Sequence, residues 1–113
     1  MKIVFYERAC SGCAIARRFL TKNDVSYESI DVRKKPVSPA ETLKMVRRFK
    51  KIYGVIGKKV VSYDVVKDKP SEDDLKKILI GRSGTLRAPC FEVGDTFVGG
   101  FNPELYKKLI KQK

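Results

Sequence analysis

The chain has 113 residues, with 25 lysines and arginines against 13 aspartates and glutamates, a net charge of +12. This length suits a single domain, residues 1–113, and a hydrophobic share of 42% supports a folded core, which argues against disorder or several domains. No apolar run approaches the ~20 residues of a membrane helix, so no membrane association is expected. The block Ile3-Val4-Phe5-Tyr6 is too short for a signal peptide and lacks a cleavage site, so a cytoplasmic protein is expected.

A field of this sign attracts acidic partners. The basic residues are spread over the whole chain and no nucleic-acid-binding signature accompanies them, so a solvated lysine-rich surface is the simpler reading and nucleic acid is not an expected partner.

Lys2 to Tyr6 reads as a mostly apolar first strand. Ser11 to Lys22 turns helical, with Ala14, Ile15, Phe19 and Leu20 at helix spacing. Val25 to Val32 alternates as a second strand, which makes a βαβ unit. Ser38 as N-cap, Pro39 at the first helical position and Glu41 form a capping box. The spacing of Leu43, Val46, Phe49 and Tyr53 predicts a helix from Pro39 to about Tyr53, stopped by Gly54. Gly57 to Tyr63 is either a short extended segment or a helical turn. Ser71 caps a further helix with Asp74 at its third position and Leu75, Ile78 and Leu79 inward, ending at Gly81. A loop, Arg82 to Pro89, leads to a β-hairpin in which Cys90-Phe91-Glu92-Val93 and Thr96-Phe97-Val98 flank Gly94-Asp95. Asn102 caps a last helix that opens with Pro103 and Glu104 and ends in lysines.

Chemistry concentrates at Cys10-Ser11-Gly12-Cys13, where the first strand passes into the first helix. Cys-x-x-Cys in a strand–helix context is a thiol–disulfide motif, and a helix N-terminus favours thiolate over thiol. Cys10 is then the nucleophile and Cys13, one turn in, the resolving thiol. A zinc site would need two further ligands, but the chain holds no histidine and only Cys90 remains, so no metal is expected. Cys90 admits two readings, a buried core thiol or a third thiol that pairs with Cys10 or takes glutathione. Arg8 lies close to Cys10 in sequence. Arg82 and Arg87 bracket the loop before Pro89 and could grip an oxyanion or the carboxylate of glutathione, or serve only as exposed loop cations. Gly99 and Gly100 either bring backbone close to a ligand or bend the strand.

The layout, with Cys-x-x-Cys after strand one and Pro89 before a late hairpin, resembles the thioredoxin/glutaredoxin fold. The resemblance implies an α/β fold on a mixed four-stranded sheet, β-α-β then β-β-α, with Pro89 cis against the dithiol. The run Ala88 to Phe101 is similar to the glutaredoxin C-terminal half, in which a glycine pair, here Gly99 and Gly100, helps hold glutathione. A mostly helical insertion, about 38–80, resembles that of the ArsC-like branch, which holds arsenate reductases and Spx regulators. Cys13 and Ala88 depart from the arsenate reductase pattern, which needs no second cysteine at this spacing and carries arginine directly before the proline.

The expected function is therefore a small cytosolic thiol–disulfide oxidoreductase without a bound cofactor, reduced by glutathione or a thioredoxin. Its partners would be protein or low-molecular-weight disulfides, and it would be monomeric. The alternatives are an Spx-like redox switch that binds an acidic protein such as RNA polymerase, and third, an arsenate reductase.

Overall fold

A computed structural model describes residues 3–8, 11–81 and 84–111. The elements run β1 (Ile3–Glu7), α1 (Ser11–Lys22), β2 (Glu28–Asp31), α2 (Pro39–Val46), β3 (Lys51–Ile56), β4 (Lys59–Asp64), α3 (Glu72–Leu79), β5 (Cys90–Val93), β6 (Thr96–Gly99) and α4 (Pro103–Lys111). One sheet takes all the strands in the order β2-β1-β5-β6-β3-β4. Strand β1 runs parallel to β2 and antiparallel to β5, β6 is antiparallel to β5 and parallel to β3, and β4 closes the far edge antiparallel to β3.

The four strands β2-β1-β5-β6 form the mixed sheet expected from the sequence. The whole sheet has six strands, because half of the insertion is strand rather than helix. Helix α2 stops at Val46, and residues 51–54, expected to complete its inner face and its glycine cap, pair within β3 with β6. The competition is local propensity: Ile52-Tyr53-Gly54-Val55-Ile56 is β-branched and aromatic, favouring the extended state. The ambiguous segment after it is β4, joined to β3 through Gly57-Lys58, with positive φ at Gly57 as a type II′ turn requires. Gly94, also at positive φ, opens the β5–β6 turn the same way.

Local signals fix the helix starts. The Ser38 hydroxyl accepts from Glu41 N–H at 3.2 Å, Ser71 and Asp74 form the complete capping box, and Asn102 Oδ1 accepts from Leu105 N–H at 3.0 Å.

Alternation along the strands sends side chains to two cores. Ile3, Phe5, Phe91, Val93 and Val98 meet Ala16 and Leu20 of α1 and Tyr106 and Leu109 of α4. On the opposite face Val4, Tyr6, Cys90, Phe97 and Ile52 meet Leu43 and Val46 of α2 and Leu75, Ile78 and Leu79 of α3.

Beneath Ile78 and Leu79 of α3 the sheet presents two glycines. Reading across the strands, Cys90 lies opposite Gly99, and Gly99 opposite Gly54. A Cβ on Gly54 would stand 2.5 Å from Ile78 Cβ, and one on Gly99 would stand 2.6 Å from Leu79 Cδ2. The helix therefore rests on strand backbone. Gly54→Ala is expected to destabilise the protein by about 1–3 kcal/mol through overpacking, seen as a lower urea midpoint at unchanged m-value, although an exposed strand would gain from the same change.

Candidate active site

The site lies where the first turn of α1 meets the loop before β5. The Ala88–Pro89 peptide bond is cis, and Pro89 is buried. A Cβ on Gly12 would lie 3.7 Å from Pro89 Cδ, ordinary van der Waals contact, so the turn between the two cysteines abuts the proline ring. Cys13 is fully buried, and its sulfur accepts from Arg8 N–H at 3.4 Å, which ties the end of β1 to the first turn of α1. The Arg8 side chain is exposed at that junction. Cys10 and Arg82 lie outside the described residues.

A chain of hydrogen bonds holds the proline loop from behind. Gly100 N–H donates to Pro89 C=O, and the buried Tyr106 hydroxyl donates to Gly100 C=O, both at 2.8 Å. The Tyr106 ring stacks on Phe91 and meets Phe101 edge-on. Burial raises the Tyr106 phenol well above its ordinary value, so it stays a neutral donor. Tyr106 was not singled out from the sequence; its signal is a hydroxyl on the apolar stripe of α4, which in a core must find a partner. Tyr6 is a second such case: its hydroxyl meets Glu92 Oε2 and the Met45 sulfur, and burial first, then Glu92, raise its phenol.

The remaining expected residues fall as follows. Gly99 admits Leu79, and Gly100, at φ 108°, admits Val55, whose Cβ would lie 2.9 Å from a Cβ there. The ligand-facing possibility for this pair thus competes with a plain packing duty. Arg87 turns toward α3: its Nη1 donates to Ile78 C=O at 3.4 Å while its N–H donates to Leu79 C=O at 2.8 Å. Cys90 is fully buried on the α3 face, its thiol donating to Arg87 C=O at 2.8 Å. Burial pushes this thiol up to about 12, with smaller opposing effects from Gly100 N–H and Arg87. It is a protonated core thiol, shielded from solvent. Among the described residues no three His, Cys, Asp or Glu side chains gather as a metal site would need.

No protein-family model matches the chain, and no curated protein matches its sequence. Among solved structures it is similar to the crystal structure of a protein from Bacteroides fragilis provisionally related to the ArsC family. The TM-score is 0.57 at 22% identity, over 96% of this chain and 99% of that one. The fold is ArsC-like. It contains the thioredoxin-like half-sheet expected from the sequence, and among the described residues no helix is long and apolar enough to cross a membrane. Within the ArsC-like frame, α1 and the Pro89 loop form one surface, and α3 buttresses that loop from the other side of the sheet through Leu79 and Arg87.

The buried thiol makes alkaline stability a readout. Cys90 is raised in the folded state, so its contribution is intact below the ordinary value of 9.0 and is lost as pH climbs toward about 12. The loss is about 1.4 kcal/mol per pH unit in that window. Melting temperature should fall from pH 9 upward, and Cys90→Ala should flatten the fall between pH 9 and 10, before the tyrosines join. In native protein Cys90 should also resist iodoacetamide, with label found there by mass spectrometry only after unfolding.

Proposed function

We propose that the chain is a thiol–disulfide oxidoreductase of the ArsC-like type, acting through Cys10 and Cys13. The observation that carries this reading is the contact of Gly12 with the cis proline beside a fully buried Cys13. Gly12, in the first turn of α1, sits against the proline ring, and Cys13 beside it is held out of solvent. That is the division of labour an attacking and a resolving cysteine need.

Cys10, which directly precedes Ser11 of α1 in sequence, would be favoured as thiolate by a helix N-terminus. Its sulfur attacks one sulfur of a substrate disulfide, forming a mixed disulfide and expelling the other substrate sulfur as a thiolate, which takes up a proton. Cys13 then loses its proton and attacks the Cys10 sulfur, so that the second substrate thiolate leaves and a Cys10–Cys13 disulfide remains. Two electrons pass from the protein dithiol to the substrate. Two glutathione thiols or one thioredoxin dithiol would return them. Ser11 and Gly12 are small, which leaves room for the incoming sulfur along the Pro89 edge.

The position of Arg87 favours disulfide over oxyanion chemistry. Ala88 precedes the proline, and the neighbouring guanidinium is occupied with a carbonyl of α3. An Spx-like switch would use the same pair of thiols without turnover.

Reduced protein should turn over a glutathione mixed disulfide or insulin. Cys10→Ser should lower that rate by roughly a hundredfold or more, whereas Cys13→Ser should still attack the substrate through Cys10 and should accumulate a mixed disulfide detectable by mass. A rate unchanged in Cys10→Ser would overturn the proposal, and reversible formation of the Cys10–Cys13 disulfide without turnover would point to the switch.

A further inference from the structure

Helices α2 and α3 lie antiparallel over one face of the sheet, with a groove of about 690 Å³ between them. Contacts define both of its ends. At one end Leu86 N–H donates to Val37 C=O, just ahead of α2, at 2.9 Å. Beside it Arg87 N–H donates to C=O of Leu79, the last residue of α3. The groove therefore opens at the loop that carries Pro89. At the far end Arg47, which closes α2, stands 3.9 Å from Glu72, which opens α3.

The lining joins an accessible apolar strip to cationic walls. Pro39 is half-buried and Ala40 exposed, so the first turn of α2 offers carbon surface to an occupant. Lys44 on α2 and Lys76 on α3 are exposed on the two walls, and neither forms an ion pair among the described residues. Glu72, the one acid among the described lining residues, is met by Arg47. Two uncompensated cations on facing walls, in a chain of net charge +12, select an anionic occupant. Each helix has eight residues and is about 12 Å long. An extended chain covers that length in about four residues.

We propose that this groove binds an extended acidic segment, about four residues long, of the protein disulfide that the chain reduces. The inference rests on the oxidoreductase reading and narrows its substrates to proteins that carry such a segment near the disulfide. Side chains alternate along an extended segment. Carboxylates would turn to Lys44 and Lys76, and the small apolar side chains between them would lie on Pro39 and Ala40. A segment seated there leaves the groove at the proline loop, which brings the rest of the substrate to the thiols.

The probe is a labelled, cysteine-free peptide of alternating glutamate and valine, read by fluorescence anisotropy with full-length reduced protein at low salt. It should bind, and the same pattern with lysine in place of glutamate should not. Lys44→Glu combined with Lys76→Glu should weaken binding about tenfold or more. Lys107→Glu combined with Lys108→Glu makes the same change of net charge on the exposed side of α4 and should leave the affinity within about twofold. In turnover, a peptide disulfide carrying the acidic tract should show a KM about tenfold below that of its serine-tract analogue. The groove double variant should erase that difference. Equal binding of the acidic and basic peptides, an equal loss in the α4 variant, or equal KM for both tracts in a protein that does reduce disulfides would each overturn the proposal. Failure to reduce any disulfide would instead sink the oxidoreductase reading, and the substrate assignment with it.

Discussion

The approach of α3 to bare strand backbone is the constraint on which the architecture rests. A helix normally stands about 10 Å from a sheet because side chains on both fill the space between. At Gly54 and Gly99, paired across β3 and β6, one partner contributes none, and Ile78 and Leu79 descend into the gap. Cys90 continues the small row toward β1. A valine at any of these places would lift the helix and, with it, everything the helix touches. Those contacts include the proline loop, whose Arg87 N–H donates to Leu79 C=O.

The proline loop is thereby fixed from two sides by unlike means. From the α4 side it is fastened through Gly100 to a buried phenol. From the α3 side it is fastened through the backbone of Arg87 and, one step earlier, through a bridge between Ile80 and Leu86. The first fastening belongs to α4 and the end of β6, the second to α3. In the proposed exchange, rigidity at Pro89 would matter because three sulfurs must stand nearly in line, and a neighbouring loop that drifts would lose that alignment.

How much of this could be read from the sequence follows from the range of each determinant. The caps at Ser38, Ser71 and Asn102 and the turn at Gly94-Asp95 act within four residues, and each appears where local chemistry places it. Residues 47–54 misled because Leu43, Val46 and Phe49 keep helix spacing and are indeed buried, so the pattern ran past the true end at Val46. What decides β3 is a ladder to β6, more than forty residues away in sequence, together with the helix above Gly54. A Gly-x turn at Gly57-Lys58 was the available local hint. At the site, Cys13 and Pro89 were legible as motif and resemblance. Tyr106 was not, because its duty exists only once α4 lies against Gly100, and Arg87 was legible as a charge but not in its direction.

The strand order carries a temporal consequence. The two strands at the centre of the sheet, β5 and β6, are the last to be made, and each flanking pair docks on one of them. The βαβ unit and the β3–β4 hairpin are both complete in the nascent chain well before either has a neighbour on its inner side. Until the final hairpin emerges, the inward edges of β1 and β3 stay unpaired, with Phe5 and Ile52 uncovered. Such edges are templates for wrong pairing, and contacts of this span close slowly. The segment from Cys90 onward is therefore the keystone of assembly, and a ribosome stalled before it would expose two pairs of strands with nothing to join them.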